Sequence, residues 1–155
     1  MTEANLDMDF NLEEEAVDDP LIPQGTYTGN VTNVSYDAEK YAIVWQYALD
    51  GNGGTMNDGE TPIDGAVVFG RNYLPKPGDE DVQTPSGKSS KRIAKINMLK
   101  DFAEKMGIDM NTPAEIMEGI NDAKWIGMEV VLTIEVREWE GKFSNDIKKV
   151  AAASA

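Results

Sequence analysis

The apolar residues of this chain change their spacing twice, and that double change restricts the fold more than any single motif. Up to residue 74 they tend to alternate, the period of a strand. Across 93–106 they recur every three or four residues, the period of a helix, and from 128 the alternation returns. Three strands are predicted first: TYTGNVTNVSY (26–36), YAIVWQYAL (41–49) and DGAVVFGRNYL (64–74). The second is apolar on both faces and is expected at the centre of a sheet. Gly29 and Gly70 are expected at bulges or bends. Ile93, Ile96, Leu99, Phe102 and Met106 mark one face of a helix that Gly107 ends. Thr112-Pro113-Ala114-Glu115 opens a second helix with a capping hydroxyl, a proline at the first position and a glutamate three residues on. Residues 128–137 and 143–150 supply two further strands around a turn at Glu140-Gly141-Lys142.

Five strands with one or two helices between the third and fourth describe an OB-fold-like, β-rich small barrel. Its strand 2–3 face and flanking loops bind oligonucleotides or oligosaccharides. A five-stranded α+β sheet reads much the same. The expected organisation is a disordered acidic arm over 1–21, one domain over 22–150 and a disordered tail over 151–155. The 75–90 stretch is long for a connection, which marks it as mobile or functional.

The chain has 155 residues, no cysteine and no histidine. Disulfides, thiolate zinc sites, iron–sulfur clusters and histidine-based triads are therefore excluded. No spacing of carboxylates singles out an acid–base pair, so a binding protein without cofactor or metal is expected, not an enzyme. Gly87-Lys88-Ser89 lacks the earlier glycine of a phosphate loop, and the 50–60 loop lacks the glycine and final glutamate of a calcium loop. The N-terminus is acidic where a signal peptide is basic and then apolar, and no apolar run reaches the roughly 20 residues of a membrane span. A cytoplasmic protein is expected, in the host cytoplasm if viral.

The net charge of −14 argues against nucleic acid, but its distribution does not. Residues 1–25 hold eight acids and no base, so the remainder carries only −6. Residues 86–105 carry six bases against two acids. Phe69, Arg71 and Tyr73 share one predicted strand face and offer stacking surfaces beside a cation, as a single strand requires. Arg137, Trp139, Lys142 and Phe143 flank the last hairpin, and Lys148 follows. Lys40 and Lys149 are further phosphate candidates, and Trp45 and Tyr47 further aromatic ones, Trp45 being expected in the core. Lys88, Lys91 and Arg92 lie in a loop and helix start that either contact phosphate or form a solvated face. In the arm, Phe10 with Glu13, Glu14 and Glu15 is a candidate docking peptide.

Four stretches resemble a phage family long catalogued as a domain of unknown function. They are the acidic lead with IPQGTY (22–27), the strand DGAVVFGRNYL, and MLKDFAEKMGI (98–108) with the tail WIGMEVVLTIEVREWEGKFSNDIKKV (125–150). The resemblance covers residues 20–150. It implies an OB-fold single-stranded-DNA-binding protein serving viral replication and recombination. The arm is then expected to compete with DNA or to recruit a replication or recombination protein. The alternative is an acidic protein–protein interaction module that never touches nucleic acid; a carbohydrate-binding barrel is a third. Oligomeric state is left open by the sequence.

Overall fold

The structure is a computed structural model that describes residues 9, 11–15 and 19–153. After a single helical turn, α1 (Leu12–Glu15), come three strands: β1 (Gly25–Asp37), β2 (Ala42–Leu49) and β3 (Val67–Tyr73). Two helices follow, α2 (Lys91–Met106) and α3 (Pro113–Asn121), then β4 (Glu129–Trp139) and β5 (Lys142–Ala152). All strands join one antiparallel sheet in the order β3-β2-β1-β4-β5. The expected element order holds, and the expected central strand, β2, lies inside the sheet with every side chain buried or half-buried. The sheet is not closed. Its edges, β3 and β5, lie side by side with no ladder between them.

β1 is long because it serves two partners. Gly25–Asn30 pair with β4, and Gly29–Asp37 pair with β2. Gly29 sits at the handover, where a Cβ would fall 2.5 Å from the Ala48 carbonyl oxygen, so only glycine lets the backbones meet there. The expected bulge at Gly29 is displaced: the register shifts between Val31 and Asn33. Gly70 stays in regular register with Trp45. The β4–β5 hairpin closes through Glu140 and Gly141 with φ of 50° and 78°, the twist that suits a two-residue connection.

The core lies inside the curled sheet. Trp45, fully buried, is its centre: it stacks on Trp125 at 5.3 Å and tilts against Phe102 at 5.2 Å, and its Nε1 donates to Asn72 Oδ1 at 2.6 Å. Trp125 in turn lies on Gly119 of α3, where a Cβ would stand 2.3 Å from its ring. The capping residues act as expected. Thr112 Oγ1 accepts from the Glu115 N–H, and Gly107 ends α2 in the left-handed conformation. The glutamate half of the Thr112 capping box is not made among the described residues.

Four expectations need correction. Ile93 and Ile96 are 45% and 36% exposed, because α2 is held to the core through Leu99, Phe102, Ala103 and Met106. The 75–90 stretch is built, not loose: a 3-10 turn at Asp79–Asp81, a Gln83–Ser90 bridge and a tight return from Thr84 to Ser89 order it. The tail is strand as far as Ala152, since Ala151 and Ala152 pair with Val131 and Val130. Within the expected disordered arm, Leu12–Glu15 form one helical turn, with the Asn11 side chain accepting from the Glu13 N–H. Of the proposed docking residues, Glu13 and Glu14 are exposed, while Phe10 and the Glu15 side chain lie outside what is described.

Candidate functional site

Strand alternation places Val68 in the core and turns Phe69, Arg71 and Tyr73 outward, with the two rings 54% and 51% exposed. The sequence therefore brings these three together correctly. Their cross-strand neighbours on β2 are Gln46, Val44 and Ala42. Arg71 and Tyr73 also form part of the wall of a groove of about 910 Å³ where β3, β5 and α2 converge.

Cations line that groove from three sides. The β3 side contributes Arg71, with Lys40 and Lys76 from the flanking loops. From α2 come Lys91, Lys95 and Lys105, whose spacing of four and ten residues sets them along one stripe of the helix with Met98 and Phe102. β5 adds Lys148 and Lys149. The register slips there by one residue, so Lys149 opposes Thr133, Ile147 opposes Ile134, and Lys148 has no cross-strand partner. A bulge of this kind re-aims side chains, and here two consecutive lysines reach one groove. In all, eight of the 14 bases line it, against two of the 28 acids, Glu39 and Asp101. Trp45 and Tyr47 form part of its floor; being 0% and 1% exposed, they offer no face for a base to stack on.

Lys95 has a structural partner. Its Nζ lies 2.7 Å from Asp79 Oδ2 and 3.4 Å from the Leu74 carbonyl, and Asp79 also accepts the Lys76 backbone N–H at 2.9 Å. This pair pins the 75–90 loop to α2. The hydrogen bond from Lys95, then that from the Lys76 N–H, hold the Asp79 carboxyl below its ordinary 3.8. A carboxyl depressed by folding stabilises the fold fully above its unfolded pKa, and that contribution is lost as pH falls through the folded value. Hydrogen-exchange protection of residues 79–91 is thus expected to fall on acidification below 3.8. Asp79→Asn should already lack it at neutral pH. Full protection in that variant would refute the assignment.

The other predicted residues are dispersed. Lys88 is exposed in the return of the ordered loop and Arg92 on α2; neither lines the groove. Arg137 is engaged by Glu135 at 2.8 Å and Asp146 at 3.1 Å, and its pKa is raised first by the Glu135 hydrogen bond. A phosphate there would have to displace two carboxylates. Trp139 and Phe143 are 76% and 58% exposed, yet on opposite faces of the hairpin: Trp139 opposes Lys142, and Phe143 opposes Glu138. Sequence reasoning missed Lys76, Met98 and Phe102 as lining residues. The stripe of α2 was the available signal for the last two.

The arm joins the body beside the groove. Leu21 exchanges hydrogen bonds with Asn57, and Ile22 exchanges two with the Asn145 side chain across the chain. Ile22 is buried, and Pro20 lines a second cavity, of about 440 Å³, with Phe69, Arg71 and Ile147. Arg71 and Ile147 therefore separate the arm's attachment from the groove.

Among the described residues no cluster of acids could hold a metal ion, and no helix is long and apolar enough to cross a membrane. No family model matches the chain, and no curated protein matches it.

Proposed function

We propose that this protein binds single-stranded DNA with little sequence preference and serves phage DNA replication or recombination. The observation that carries the reading is the groove, which collects eight bases and two acids in a chain whose net charge is −14. Cations along such a groove track phosphates, while Phe69 and Tyr73 on the adjoining face offer rings to bases. An OB-type barrel is part of the proposal. What supports it is the strand order, whose two edges lie side by side. The arm, attached beside Arg71, would compete with phosphate for the groove or recruit a replication or recombination protein.

The second reading is an acidic protein-interaction module. The net charge and the exposed Trp139 and Phe143 favour it. Fluorescence anisotropy with labelled oligo(dT), on the full chain and on a chain beginning at Leu21, separates the two. DNA binding is expected, tighter without the arm, with log K falling by about 0.7 per neutralised phosphate for each unit of log salt concentration. If neither chain binds at low salt, the DNA reading fails and the protein-interaction reading takes its place.

A further inference from the structure

The groove holds one polar group that the fold does not use. Tyr47 is 1% exposed, and its hydroxyl makes no hydrogen bond with any described residue. Among the described residues, no side-chain polar atom sealed from solvent lacks a partner, so this oxygen must reach the groove. Gly70 borders it. A Cβ there would lie 3.4 Å from Tyr47 Cε2, 3.9 Å from its hydroxyl and 3.6 Å from Ile147 Cδ1. Tyr47, Gly70 and Ile147 thus form a slot in the groove floor at the seam between β3 and β5.

We propose that this slot is a phosphate subsite, in which the Tyr47 hydroxyl donates to a phosphoryl oxygen of the strand between Arg71, Lys148 and Lys149. The proposal rests on the DNA reading above. Its logic is chemical: eight bases and only two acids, Glu39 and Asp101, line this groove, and a neutral O–H donor set in a mainly cationic wall suits an anionic oxygen. Burial raises the phenol above its ordinary 10.0, so the group stays a protonated donor at neutral pH. The subsite adds affinity without adding charge, which gives it a signature that no lysine shares.

The test is oligo(dT) binding by the full chain carrying Tyr47→Phe, which keeps the ring, across a range of salt. Affinity is expected to fall about tenfold at every salt concentration, with the salt slope and the thermal midpoint unchanged, because no counterion is released by a neutral donor. Wild-type affinity in Tyr47→Phe overturns the subsite and leaves the DNA reading standing. If the unaltered protein does not bind oligo(dT), the DNA reading falls, and titration with inorganic phosphate decides the rest. A shift of the Tyr47 ring resonances would keep a phosphate site for a small ligand; no shift would overturn that too.

Discussion

Replacing Arg71, Lys148 and Lys149 together with alanine is expected to abolish oligonucleotide binding at moderate salt. Where binding survives at low salt, the slope of log K against log salt should fall in magnitude by about 2, from roughly 0.7 for each of three phosphates. The three side chains come from the two edges of the seam, so they sample the groove across its width. None forms an ion pair among the described residues, so their removal strands no carboxylate and the thermal midpoint should hold. Arg137→Ala is the matched control. Its charge is engaged by Glu135 and Asp146, and its loss should leave the slope almost unchanged. Wild-type binding by the triple variant would show that the strand does not lie in this groove. A slope change of about 0.7 in Arg137→Ala, the size of one phosphate contact, would place the hairpin on the track.

Trp45→Ala is expected to cost about 3–5 kcal/mol of stability, the range for removing a large buried aromatic ring. The indole is fully buried and touches the three parts that must stay together: Asn72 on β3, Phe102 on α2 and Trp125 before β4. Domains of this kind are held by roughly 5–15 kcal/mol, so such a loss removes a large share and lowers the urea midpoint visibly. Trp45→Phe should cost far less, because it refills most of the volume while giving up the Asn72 hydrogen bond. A loss near 1 kcal/mol for the alanine variant would mean that the surroundings collapse into the hole, contrary to a rigid triple junction.

Alternation made much of the fold legible. The second strand was expected at the centre of the sheet and is buried there, and Phe69, Arg71 and Tyr73 were expected on one strand face and point outward together. The Thr112 cap was legible because capping is local chemistry. What could not be read depends on partners distant in sequence. Lys95 is turned inward by Asp79, which no helical wheel of α2 contains. Ala151 and Ala152 carry no strand signal of their own and are strand because β4 supplies the ladder. The groove combines Lys40, Arg71, Lys95 and Lys148, residues from four segments that the topology alone brings together. The Tyr47 hydroxyl was invisible for a related reason: its surroundings, Gly70 and Ile147, come from two other strands.

The seam between β3 and β5 has a mechanical consequence. Separating any other neighbouring pair of strands breaks a row of backbone hydrogen bonds, whereas widening this gap breaks none. The molecule thus has one compliant direction, and the groove lies along it. Contacts other than a ladder stitch that direction: the Ile22 backbone clasped by the Asn145 side chain at the arm's attachment, Ile147 beside Gly70, and α2 packed on both edges. A scaffold that yields in a single direction can admit guests of different girth while its hydrogen-bonded frame keeps its shape.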